Sequence, residues 1–146
     1  MIKHIKHFTI ILYVLIFSST VSCKKDTNKS VSLSTSELNT ILQKDKWKIT
    51  KHYNNGKDET YHYTNYVFQF NANGSVTATN GGTSYSGTWY FGNDDSSIKL
   101  ILNFSASPFS ELNDDWHVVQ QNNSIIELEN ISGGNGGTDY LTFEKI

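Results

Sequence analysis

The sequence predicts an all-β domain of about eight antiparallel strands that close into an up-and-down barrel, preceded by one short helix. From Trp47 onward, apolar and polar side chains alternate with a period of two, which is typical of half-buried strands. Short turns rich in Gly, Asn and Asp join these segments and leave no room for parallel crossovers. Closure into a barrel removes open edges, whereas a two-sheet β-sandwich is the alternative that the same alternation allows.

The helix is predicted from Ser34 to about Leu42. Ser34 and Glu37 have the spacing of a capping box, and Leu38, Ile41 and Leu42 follow on one helical stripe. We expect this helix to plug one end of the barrel.

The first strand begins at about Trp47 and ends at Asn55-Gly56, a dipeptide typical of tight hairpins. Strict alternation places Lys51 on the same face as Trp47 and Ile49, and His52 on the opposite face. Further turns are expected at Asn-Gly, Gly-Gly and Asn-Asp-Asp-Ser-Ser sequences. The later strand segments are YVFQF, SVTATN, SYSGTWYF, IKLILNF, WHVVQ, SIIELE and DYLTFEKI.

Several large side chains are predicted to point into the barrel, where they are the candidates for lining a ligand pocket. An eight-stranded barrel is just wide enough to be filled by side chains or to hold one small ligand. The candidate lining residues are Phe68, Phe70, Tyr85, Trp89, Leu100, Leu102, Trp116 and Val118.

The N-terminus has the layout of a secretory signal. A basic head, MIKHIKH, precedes the apolar run FTIILYVLIF, which ends in small residues and is short for a membrane span. The window Thr20-Val21-Ser22-Cys23 resembles a bacterial lipobox, although Leu is usual where Thr20 stands. Cys23 is the only cysteine, so it has no partner for an intrachain disulfide. We therefore expect cleavage after Ser22 and lipidation of Cys23.

The predicted organisation has three parts: a lipoprotein signal peptide at 1–22, a flexible polar tether at 23–33 and the barrel domain at 34–146. The formal net charge is −2, and every basic residue is lysine. Nucleic acid is therefore not expected as a partner, since arginine is the usual reader of phosphate and guanine. The expected partner is a membrane, reached through the lipid.

The order of the strand motifs resembles the lipocalin-like domain of many small lipoproteins of the Bacteroidota. The markers are WKIT, FQFNANGSVTA, GTWYFGNDDSSIKLIL, WHVVQ, IIELE and YLTFEKI. The resemblance implies a calycin-type β-barrel, secretion and a lipid anchor in the cell envelope, at the outer membrane. Whether the domain faces the periplasm or the cell surface is left open. Two features depart from true lipocalins: Asp45-Lys46-Trp47 stands where Gly-x-Trp is usual, and the arginine that packs on that tryptophan is missing.

Few residues suggest chemistry. His52, His62 and His117 are expected on separate strands, without the close spacings of metal sites, so we interpret them as ordinary surface or half-buried side chains. Asp94-Asp95 and Asp114-Asp115 are interpreted as turn residues. The sequence thus predicts no catalytic residues, no metal, no cofactor and no enzymatic activity.

Two functions remain open. The first is a noncatalytic protein that binds a small apolar or amphipathic molecule in the barrel or at its mouth. The alternative is a protein-interaction or inhibitor module that binds an envelope protein through its loops. In the alternative, the loop Ser105–Asp115 offers the apolar residues Phe109 and Leu112, which otherwise fold back as a lid.

Overall fold

A computed structural model describes residues 34–94, 97–131 and 137–146. The predicted signal peptide, Cys23, the tether and part of the turn after Asp94 lie outside these residues. The elements in chain order are the helix α1 (Thr35–Lys44) and the strands β1 (Lys46–Asn54), β2 (Lys57–Asp58), β3 (Val67–Phe70), β4 (Ser75–Asn80), β5 (Thr83–Asp94), β6 (Ser97–Phe104), β7 (Asp114–Gln121), β8 (Ile125–Ile131) and β9 (Thr138–Lys145), with short 3₁₀ turns at Thr60–Tyr63 and Phe109–Leu112. No helix among the described residues is long and apolar enough to cross a membrane.

The strands form a closed eight-stranded antiparallel barrel, so the predicted barrel is confirmed over the sandwich. Apart from β2, each strand pairs with its neighbour along the chain, and β1 also pairs with β9. Trp47 shows the closure directly, because it stands opposite Phe68 on β3 and Lys145 on β9. Within the described part of the chain, the short β2 pairs only with β1 and extends the sheet beyond the barrel as a ninth strand.

The tight turns predicted at the Asn-Gly and Gly-Gly dipeptides are confirmed by backbone conformation. Asn55 and Gly56 have φ values of 51° and 75°, the left-handed pair that a two-residue hairpin requires. Gly74 and Gly81 have φ values of 79° and 58° at the β3–β4 and β4–β5 turns. Local turn chemistry therefore sets the order in which neighbouring strands pair.

Helix α1 begins with the predicted capping box. Ser34 Oγ accepts a hydrogen bond from the Glu37 amide at 3.3 Å, and a Glu37 carboxylate oxygen accepts one from the Ser34 amide at 2.8 Å. Leu38 and Leu42 are buried, and the indole of Trp47 donates to the carbonyl oxygen of Leu42 at 3.0 Å. The helix therefore packs over the β1–β3 side of the barrel end that carries the β3–β4 and β5–β6 turns, where it was expected to act as a plug.

The barrel interior is filled with apolar side chains. Phe143 lies at its centre, with ring centroids 5.5 Å from those of both Phe68 and Phe70. Phe70 in turn meets Trp89 edge-on at 5.3 Å. These perpendicular contacts are a favourable geometry for aromatic rings, and they fix the core in one arrangement.

The two 3₁₀ turns cover the opposite end of the barrel. Tyr63, Phe109 and Leu112 are at most 1% exposed, and the Phe109 ring lies 4.7 Å from Tyr85 and 4.9 Å from Tyr66 between centroids. Phe109 and Leu112 thus fold back as a lid. The hypothesis that these two side chains form an exposed binding surface is wrong, because closing this end of the barrel buries both.

Candidate functional site

The structure buries most of the predicted pocket-lining residues. Six of them are at most 3% exposed and pack against other core side chains: Phe68, Phe70, Trp89, Leu100, Leu102 and Trp116. Tyr85 and Val118 are half-buried. All eight side chains belong to the core or pack against it, so the depth of the barrel is occupied and a ligand would bind at an end.

Three half-buried apolar side chains lie together at the α1 end of the barrel. Phe91 is on β5 and packs edge-on against Trp89 at 5.8 Å, Ile98 is on β6, and Val118 is on β7. Leu100 pairs with both Phe91 and Trp116, so the register brings the inner faces of these strands side by side at the β5–β6 turn. We call Phe91, Ile98 and Val118 the apolar mouth.

Charged side chains lie beside the apolar mouth, on the outer face of the same strands. The Lys99 ammonium group is 2.9 Å from an Asp94 carboxylate oxygen and 2.6 Å from one of Asp115. The hydrogen bond from Lys99 lowers the pKa of Asp115, which therefore stays ionised. These charged side chains therefore face outward, on the other side of the barrel wall from the apolar mouth.

The acidic pair Asp114-Asp115 was expected in a turn, and this expectation is wrong. Both residues belong to β7, where they pair with Leu102 and Ile101. The side chain of Asp114 still accepts a hydrogen bond from the Asp115 amide at 2.8 Å, so the local bonding that favours Asp in turns is present at the start of a strand.

A second cluster begins with His52, whose position differs from the prediction. Alternation from Trp47 placed Lys51 inward and His52 outward, but the β1–β9 register shifts between Ile49 and Lys51. This β-bulge inserts one residue and reverses the facing of those that follow. As a result, Lys51 is exposed and His52 is completely buried.

Aromatic rings surround the His52 imidazole. Tyr63 and Trp116 meet it edge-on at centroid distances of 5.2 and 6.3 Å. Neither ring nitrogen has a hydrogen-bond partner among the described residues. Burial lowers the pKa of His52, so the imidazole is held in its neutral form with a free lone pair.

Two carboxylates lie next to the imidazole. One ligand atom each of His52, Glu59 and Glu111 lie within 4.8 Å of one another. The same Glu111 carboxylate is 2.9 Å from His62 Nδ1 and accepts a longer bond of 3.4 Å from the Tyr63 hydroxyl. Burial raises the pKa of Tyr63 far above its ordinary value, so Tyr63 acts only as a neutral donor. We call His52, Glu59, His62 and Glu111 the histidine–glutamate cluster.

The three histidines thus have different environments. His62 was expected on a strand but lies in the first 3₁₀ turn, where it faces Glu111. His117 is on β7, away from the cluster, and its Nδ1 is 3.1 Å from Ser97 Oγ. Sequence spacing gave no indication that His52 and His62 belong to one cluster, because Glu111 is distant in sequence from both.

One local signal pointed to part of this cluster. His52 and Glu59 flank the Asn55-Gly56 hairpin, and the Glu59 amide donates to the His52 carbonyl oxygen at 2.9 Å. A tight hairpin necessarily returns the chain to its starting point. The bulge that turns His52 inward has no comparable sequence signature.

No model of a known protein family matches the chain, and no curated protein matches it. The features that bear on function are therefore the apolar mouth and the histidine–glutamate cluster. They lie at opposite ends of the barrel: the mouth at the β5–β6 turn, and the cluster beside the β1–β2 hairpin and both 3₁₀ turns.

Proposed function

We propose that this protein is a lipid-anchored, noncatalytic protein of the cell envelope that binds a small apolar or amphipathic molecule at the apolar mouth. The observation that carries the proposal is that Phe91, Ile98 and Val118 are only half-buried on the inner face of the barrel, whereas deeper inward-facing residues are buried. The mouth of a β-barrel is a place where such ligands bind.

The chemistry around the mouth favours an amphipathic ligand. An apolar tail would cover the half-exposed side chains and gain about 25 cal/mol for each Å² removed from water. A polar head would remain in water outside the barrel end. Since the barrel core below the mouth is filled, the ligand would bind shallowly. A ligand tail longer than the mouth would therefore add little affinity.

Val118→Lys is expected to abolish binding, since it places a charge in the apolar mouth. Fatty acids of increasing length are titrated into the protein while tryptophan emission is followed; Trp89 reports directly because it contacts Phe91. Val119→Lys is the matched control: Val119 is the next residue and is 57% exposed. Equal binding by both variants, or an unchanged signal across apolar and amphipathic ligands including haem, would refute the proposed mouth.

The anchor is proposed at Cys23. The basic and apolar N-terminal segments, the lipobox-like Thr20–Cys23 and the likeness of the strand motifs to lipocalin-like lipoproteins support it. Stable membrane attachment needs more than one acyl chain, which bacterial lipoproteins carry. Cys23→Ser is expected to move the protein from the membrane to the soluble fraction. Mass spectrometry checks the chemistry, and a mature N-terminus with a free thiol would contradict this part of the proposal.

A further inference from the structure

We propose that the histidine–glutamate cluster is a binding site for a divalent transition-metal ion of the zinc type, with His52, Glu59 and Glu111 as ligands. This site lies at the barrel end opposite the apolar mouth and is independent of the ligand proposed there. Imidazole nitrogen together with carboxylate oxygen is a donor set that zinc accepts.

The His52 imidazole is buried without a hydrogen-bond partner in the described part of the chain. His52 is 0% exposed, and both of its ring nitrogens lack partners among the described residues. Leaving a buried polar group unpaired is costly, and native proteins rarely do so without a reason. A metal ion next to the ring would use the free lone pair and remove that cost.

Negative charge lies beside that ring. The carboxylates of Glu59 and Glu111 approach the same imidazole; Glu111 also faces His62 at 2.9 Å, whereas among the described residues Glu59 has no basic partner. A divalent ion would balance the two negative charges at the place where they meet. The neutral Tyr63 hydroxyl cannot do so, because it contributes a dipole and no positive charge.

The candidate ligand atoms are close enough together to reach one zinc ion. Zinc bonds of about 2.0–2.1 Å place two tetrahedral ligand atoms about 3.3 Å apart. The three candidate atoms already lie within 4.8 Å of one another, so adjustments of up to about 1.5 Å in the glutamate side chains are sufficient. Three protein ligands leave one coordination position for water or a further ligand.

His62 would hold one of these ligands in place. Its Nδ1 lies 2.9 Å from the Glu111 carboxylate, and Tyr63 donates to the same oxygen. Partners of this kind orient metal ligands, and their loss typically weakens metal binding by about 10- to 100-fold. His62 is therefore a positioning residue.

The test is a titration with zinc, measured by calorimetry in detergent. The protein is the full chain carrying Cys23→Ser, which removes the only thiol. We expect a site that Glu111→Gln weakens by at least about tenfold. Glu127→Gln on β8 is the matched control and should bind like the parent; His4 and His7 of the N-terminal head contribute equally to all variants. Equal affinity in both variants, or no zinc binding in the parent, would overturn the site.

A second variant separates metal binding from folding. His52→Leu replaces an unpaired buried polar ring by an apolar side chain, so the barrel should fold with undiminished thermal stability while the zinc site is lost. The ¹⁵N signals of the His52 ring in the parent protein provide a direct readout and should shift on zinc addition. Zinc affinity unchanged by His52→Leu, or His52 signals indifferent to zinc, would overturn the proposal.

Discussion

Phe109→Ala is expected to lower the free energy of unfolding by about 3–5 kcal/mol, the usual cost of deleting a buried phenylalanine ring. Phe109 is fully buried at the centre of an aromatic group. Its neighbours within 6.1 Å between ring centroids are Tyr63, Tyr66, Phe68, Tyr85 and Phe104. Removing the ring leaves a cavity between these five rings, and the lid over this barrel end loses its anchor.

Urea denaturation, monitored by far-ultraviolet circular dichroism, measures this decrease in the free energy of unfolding. Tyr61→Ala is the control, since Tyr61 is an aromatic residue of the first 3₁₀ turn that is 68% exposed, and its loss should change stability by less than about 0.5 kcal/mol. A Phe109→Ala variant as stable as Tyr61→Ala would show that the lid does not close the barrel as described.

Gly87→Ala is expected to destabilise the barrel by about 1–3 kcal/mol through overpacking. Gly87 pairs with Phe104 across β5 and β6. A Cβ atom at Gly87 would lie 2.6 Å from the carbonyl oxygen of Asn103 and 2.7 Å from the Phe104 ring. Backbone and a packed ring must both move to admit one methyl group.

Gly92→Ala provides the comparison on the same strand. Its Cβ atom would meet only the terminal methyl of Ile101 at 3.1 Å, which a small rotation of a flexible side chain relieves. We expect Gly92→Ala to unfold at a urea concentration close to that of the parent and Gly87→Ala at a clearly lower one. The reverse order would mean that the β5–β6 packing differs from that described.

Sequence reasoning predicted the parts of the fold that depend on neighbours in the chain. The Asn55-Gly56 turn and the capping box of α1 use short-range hydrogen bonds and left-handed backbone, so their residues identify them directly. Barrel closure followed from the cost of open edges. The pairing of β1 with both β3 and β9 shows that this inference was correct.

The facing and exposure of single side chains, where they depend on contacts distant in sequence, could not be predicted. A bulge shifts the register of one strand by one residue. Nothing in the β1 sequence distinguishes Lys51 facing inward from His52 facing inward. Similarly, alternation showed that Trp89 and Val118 share the inner face, but it could not tell that Trp89 is covered and Val118 is not. The apolar mouth and the histidine–glutamate cluster both depend on such contacts between residues distant in sequence.

The pairing of β1 with β9 also constrains how the domain matures. These strands come from the beginning and the end of the domain, so the wall of the barrel stays incomplete until the last segment has been synthesised. A chain cut short before β9 would leave β1 and β8 each with an unsatisfied row of backbone donors and acceptors. Incomplete copies would therefore be marked for aggregation or proteolysis by their own exposed strands.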